Sequence, residues 1–265
     1  MKTPRTLGLI ARHTWTEVVL SRVFTIFGFL AAALVGASIF LTNFHFGSAE
    51  VRFINDLGQG AISLFGSILV VTLAAQLLFR EMEQRTVLPI LARPVTRAPF
   101  LLGKFAGTLA PILVFVLGML VLLSLLLWWR SSSLEGDPSL NRATLEGVLG
   151  EAWTAGYFQV LKFFVLAAMV FAVASFAQSF SYTVSMGFAL FFAAHLVHLA
   201  TDFYREGEGI FLQALGFFFA YVLPDFRVFN EPPADPDVLG ATGYAAVYTV
   251  VFLLVAVGFF QRREL

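Results

Sequence analysis

Six apolar stretches of about 20 residues each dominate the sequence, at roughly 23–43, 60–79, 105–129, 158–178, 183–201 and 241–260. A helix of that length rises about 30 Å, the thickness of a bilayer's hydrocarbon core. Lipid gives the backbone no hydrogen-bond partner, so a chain crossing it must close its own bonds as helix or barrel. Alternating ten-residue strands are absent. The sequence therefore specifies an all-α integral membrane protein with six transmembrane helices. Charge agrees: 13% of residues are charged, about half the share that solvates a soluble domain.

The segments between the spans add detail. Residues 1–22 hold an N-tail and an expected interfacial helix over 3–18, with Thr3 as cap, Pro4 in the first turn and Leu7, Ile10, Ala11, Trp15 and Val18 on one face. The apolar run 210–223 is too short to span and stops at Pro224, which predicts a short re-entrant outer helix before the last span. The outer segments are 130–157 and 202–240. In the first, Asn141 is set to cap a surface helix whose Leu145, Val148, Leu149, Ala152 and Trp153 form an apolar stripe. In the second, residues 230–238 are acidic and proline-rich, a loop by composition. No repeats or soluble domains appear, so residues 1–265 read as one transmembrane domain.

Charge sets the orientation. The N-tail, the 80–104 segment, the 178–182 turn and the C-tail hold eleven of the 17 Lys/Arg and four of the 17 acids. The opposite loops hold 13 acids. Short loops rich in Lys/Arg stay cytoplasmic, which places both termini in the cytoplasm and the chain in the inner (plasma) membrane as a multi-pass protein.

Several chemistries are excluded. Zero cysteines removes thiol catalysis, thiolate metal sites and disulfides. The spans are almost empty of ionisable groups, which disfavours an ion-coupled carrier, and no nucleophile–base pair supports an intramembrane enzyme. Lys162 sits near an outer span end and is expected to snorkel. His195, His198 and Asp202 share one helical face. The sharp reading is a metal or proton site near the outer surface; the reading preferred is helix packing or interfacial solvation. Gln76, Ser124, Gln178, Ser181 and Tyr182 are read as bonding neighbouring helices rather than lining a path. No G-x-x-x-x-G-K-[ST] phosphate loop occurs, Gly103-Lys104-Phe105 being the nearest string. Energy for vectorial work then comes from another subunit. Nothing points to nucleic acid.

The longest charged segment on the basic side runs from Arg80 to Lys104 and directly continues the second span. It carries Glu81-Met82-Glu83-Gln84-Arg85-Thr86, then Leu91-Ala92-Arg93-Pro94-Val95-Thr96-Arg97, then Phe100-Leu101-Leu102-Gly103-Lys104-Phe105-Ala106-Gly107. Pro94 disfavours helix at Arg93, so the chain turns there. These three elements resemble the first cytoplasmic loop of type-2 ATP-binding-cassette permeases, the membrane subunits of exporter-type transporters. The likeness extends in outline to the interfacial helix, the six spans, the re-entrant element and the ending Phe260-Gln261-Arg262-Arg263-Glu264-Leu265. It departs at Arg85, where many members carry glycine.

The resemblance implies a non-enzymatic permease that exports a substrate, pairs with a second permease copy as a homodimer and engages an ATP-binding-cassette ATPase subunit. ATP and magnesium would sit on that partner, with no cofactor in this chain. It also implies that 80–104 is the coupling helix. Glu81, Glu83, Arg85 and Thr86 would set its geometry and docking, and Arg93, Pro94, Arg97, Gly103 and Lys104 its far end. The alternative function is an ATPase-driven mechanical or assembly component acting on an outer-side accessory protein.

Overall fold

The computed structural model describes residues 21–41, 50–83, 97–133, 142–199, 217, 221–230 and 237–262. The expected interfacial helix, positions 84–96, most of 210–223 and the loop 231–236 lie outside the described residues. Seven helices stand among those described: α1 (Arg22–Leu41), α2 (Glu50–Glu83), α3 (Arg97–Ser133), α4 (Arg142–Phe176), α5 (Phe180–His195), α6 (Arg227–Asn230) and α7 (Val238–Arg262). Four carry stretches long and apolar enough to cross a membrane: Val51–Phe79, Ala98–Ser132, Leu145–Phe176 and Val238–Arg262. α1 and α5 supply shorter apolar helices. This is an all-α membrane protein.

α4 is the axis. Its apolar residues are spread around the whole circumference, and a helix of that kind must be enclosed on every side. It packs against α2, α3, α5, α6 and α7, and Phe158, Phe163, Leu166, Val170 and Phe171 are buried along it. The surface helix expected over 141–153 is the first part of this same helix. Val148 and Ala152 are buried there, and the Gln59 Nε2 donates to the Ala152 carbonyl at 3.0 Å. Part of the apolar stripe that suggested a membrane surface is buried inside the bundle instead. Trp153 remains exposed.

Paired contacts give the directions. Gln59 meets Ala152, Ser63 meets Lys162, and Gly187 of α5 lies against both Val71 and Val170. The α2 and α4 numbers rise together, so those helices run parallel. α3 runs against them, since Gly58 faces Leu123 and Phe105 meets Phe171 edge-on at 5.5 Å. Phe100 stacks on Phe260 at 6.1 Å, and Phe176 packs on Phe259 at 5.5 Å. The ends of α2, α4 and α7 and the starts of α3 and α5 therefore gather at one end of the bundle. These are the segments whose neighbouring sequence is rich in Lys/Arg, and we call it the basic end. The other is the acidic end.

Several hydroxyls inside the bundle are satisfied within their own helix. The hydroxyls of Ser38, Ser67, Thr72, Thr108 and Ser175 each donate to a carbonyl three or four residues earlier, the usual solution where water is excluded. At the turn between α4 and α5, Ser179 Oγ accepts from the Tyr182 N–H at 3.2 Å and caps α5.

At Gly66 the Phe163 ring of α4 lies directly against the backbone of α2. A Cβ there would collide with the ring of Phe163, which is fully buried and has no room to yield. Gly66→Val should therefore cost about 1–3 kcal/mol through overpacking. Gly118 has open space around it, so Gly118→Ala should be neutral or stabilising by up to about 1 kcal/mol. Thermal unfolding of the two variants in detergent separates them; equal midpoints would contradict this packing.

Candidate functional site

Two places combine unusual residues with definite geometry. The first is at the basic end. α2 continues without a break from its apolar span through Arg80, Glu81, Met82 and Glu83, and α3 starts at Arg97. Arg85, Thr86, Arg93 and Pro94 lie outside the described residues. Beyond them Phe100, Leu101, Gly103 and Lys104 are buried. The Phe100–Phe260 stack fastens the start of α3 to the end of α7. The apolar part of the Phe-Leu-Leu-Gly-Lys element is thus a packing element, and Lys104, 1% exposed, is enclosed with it.

The second place lies toward the acidic end. Lys162 does not snorkel: it is 0% exposed, and its ammonium is held inside the bundle. Nζ donates to Ser63 Oγ of α2 at 2.6 Å and to Asn230 Oδ1 of α6 at 2.9 Å. It also lies 5.4 Å from the centre of the Phe163 ring. Snorkelling needs a path to water along the helix surface, and an enclosed α4 offers none. An ionised amine without such partners would cost several kcal/mol to bury.

The network continues. The Asn230 Nδ2 lies 3.0 Å from His195 Nε2, and His195 Nδ1 lies 2.9 Å from the Phe191 carbonyl. With Asn230 accepting from the ammonium through its oxygen, its amide N–H donates to Nε2, and Nδ1–H donates to Phe191. Ser63, Lys162, Asn230 and His195, from four different helices, thus form one chain of bonds. The His195 ring is enclosed by Phe191 at 4.4 Å and Phe226 at 5.3 Å.

His198 turns elsewhere, its Nδ1 3.1 Å from the His195 carbonyl. Asp202 lies outside the described residues. Among the described residues no group of three or more His, Asp or Glu could hold a metal ion.

Residues 223–230 form a strap over this network. The Phe226 N–H donates to the Ala194 carbonyl at 3.1 Å. The Asp225 N–H donates to the Tyr244 hydroxyl at 2.7 Å, and Asp225 Oδ1 accepts from the Arg227 N–H at 2.9 Å. Phe226 and Phe229 are buried beneath it. Tyr244→Phe removes one tie while keeping the ring contacts to Phe229 and Tyr248. The expected loss is about 1 kcal/mol, read as faster proteolysis within the strap at an unchanged global unfolding midpoint. No change in strap proteolysis would show that the hydroxyl bond carries no weight.

Sequence reading missed Ser63 and Asn230. Ser63 looks like any small hydroxyl in a span, and Asn230 opens a loop that composition marks only as acidic and proline-rich. The available signal was Lys162, because an ionisable residue inside an apolar run needs a partner.

Comparison with protein families matches residues 9–202, well over half of the chain, to the ABC-2 family transporter protein model. No curated protein matches the chain. The match covers the helices from α1 to α5 and the segment between α2 and α3, where the sequence elements described above lie. The chain belongs to the ABC-2 family of transporter proteins, as a multi-pass membrane component.

Proposed function

We propose that this chain is the permease subunit of an ATP-binding-cassette exporter, paired with a second copy of itself and powered by a separate ATPase subunit. The basic end faces the cytoplasm, as the bias of Lys/Arg requires, and the membrane is the inner (plasma) membrane. The ATPase docks on the 80–104 segment, with Glu81, Glu83, Arg85, Thr86, Arg93, Pro94 and Arg97 as the residues that set its geometry and contacts.

One observation carries this reading beyond family membership. α2 is a single helix of 34 residues from Glu50 to Glu83, about 50 Å long at 1.5 Å per residue. It joins the acidic end directly to the docking segment, and a push at one end displaces the other without a hinge. α3, with 37 residues, returns the motion on the far side. ATP binding on the partner then biases a two-state membrane dimer through these rods.

The test is affinity purification of the full chain from its own membrane in mild detergent. An ATPase subunit should accompany it and hydrolyse ATP in the complex. Its absence, with the chain intact and folded, would remove the basis of the proposal.

A further inference from the structure

Among the described residues, the Lys162 ammonium has hydrogen-bond acceptors but no carboxylate among its partners. Nζ donates to Ser63 Oγ and Asn230 Oδ1 and lies 5.4 Å from the centre of the Phe163 ring. All three partners are neutral. The strap's own carboxylate, Asp225, accepts from the Arg227 backbone N–H. Ionisable groups within a membrane span are costly and mark solute or ion pathways. A cation held only by neutral groups in a low dielectric attracts an anion strongly.

The partners differ in how firmly they are placed. Ser63 is on α2 and Phe163 on α4, both in the body of the bundle. Asn230 is exposed and ends the four-residue helix α6, next to residues held, among the described residues, by a few polar contacts and by the buried rings of Phe226 and Phe229. It is the partner most readily replaced. His195 holds its amide from the far side, so that the oxygen is presented to Lys162.

The geometry points to Lys162 as the binding point for one anionic oxygen group, a phosphate or carboxylate, which takes the place of the Asn230 oxygen when the strap lifts. The inference rests on the export reading for its purpose, because it names the class of solute: an anion, or a lipid with an anionic headgroup. The anion binds only the lifted state, so it raises the population of that state. The surplus of acids in the segments at this end of the bundle opposes the return of a released anion. Ser63 and His195 remain as hydrogen-bonding groups beside it.

The chain contains no cysteine, so single reporters need no prior clearing of thiols. Phe229→Cys and, as a second reporter, Leu223→Cys place a thiol at strap positions that are 1% and 5% exposed. The full-length chain is placed in phosphatidylcholine vesicles without ATP or ATPase, with a membrane-impermeant maleimide on both faces. Labelling rates are compared with inorganic phosphate added, and with part of the lipid replaced by phosphatidylglycerol.

A several-fold faster rate with phosphate identifies a free anion as ligand, and one with phosphatidylglycerol alone a headgroup. Either increase should persist in Lys162→Arg and vanish in Lys162→Met, with Lys162→Gln as a second neutral variant. Rates unchanged by both anion sources, or raised equally in the neutral variants, would overturn the proposal. Since no ATPase is present, that failure is separate from any failure of the export reading.

Discussion

Reversing the charge at Glu83 is expected to leave the chain folded in the membrane while ATP hydrolysis by its partner no longer drives transport. Glu83 is in the last turn of α2, four residues beyond the buried Phe79, so the helix beneath it is fixed by the bundle. The substitution places an arginine where the segment proposed to dock the ATPase carries acids at 81 and 83 in its sequence. Losing one partner of a charge pair in an interface costs about 2–5 kcal/mol, and each 1.4 kcal/mol is about tenfold in affinity. Glu83→Arg should therefore weaken engagement of the ATPase by about 30-fold or more, and Glu83→Gln by less. Transport and hydrolysis measured together in proteoliposomes give the ratio directly. An unchanged number of solutes moved per ATP would show that the segment after α2 is not where force enters.

The second large effect is expected at Lys162. Lys162→Ala takes the donor from the half-buried Ser63 Oγ and from Oδ1 of the exposed Asn230, a loss of about 1 kcal/mol for each hydrogen bond. Asn230→Ala leaves the ammonium enclosed with one fewer acceptor, which is costly for the opposite reason. The two losses share one interaction, so the double variant should be less damaged than their sum, with a coupling of about 1–3 kcal/mol. Lys162→Met keeps the length of the side chain without the charge and should be milder than alanine. Unfolding of the four proteins in nanodiscs completes the cycle. Strict additivity would mean that the 2.9 Å contact contributes nothing, and that Lys162 is held by other groups.

What the sequence made legible follows from one physical fact, the absence of water in the bilayer core. Apolar runs without competing signals must become helices, and α2, α3, α4 and α7 contain the runs expected of them. The ends were harder. α2 starts ten residues before its apolar run, because Arg52 and Asp56 sit on a helix whose other face buries Val51 and Ile54. α4 likewise absorbs the amphipathic stretch over 142–153, since an apolar stripe does not state whether lipid or protein will cover it.

Lys162 shows the limit most clearly. Position along the span suggested a short reach to the interface, whereas α4 is surrounded and the reach is blocked by Ser63, Phe163 and the strap. Burial of one helix by its neighbours is a property of the whole bundle and leaves little trace in local sequence. His195 was singled out for sharing a face with His198 and Asp202. In the structure it bonds across to Asn230, 35 residues away, a contact no helical spacing encodes. The charged elements between α2 and α3 were read from sequence pattern, and they lie within the stretch matched to the family.

The most direct test of the whole account is transport by defined components. The purified chain alone in sealed liposomes, with ATP present, should move no solute, and adding the ATPase that accompanies it should produce ATP-dependent export. Transport by the chain alone would contradict the claim that this helical body is driven from outside itself.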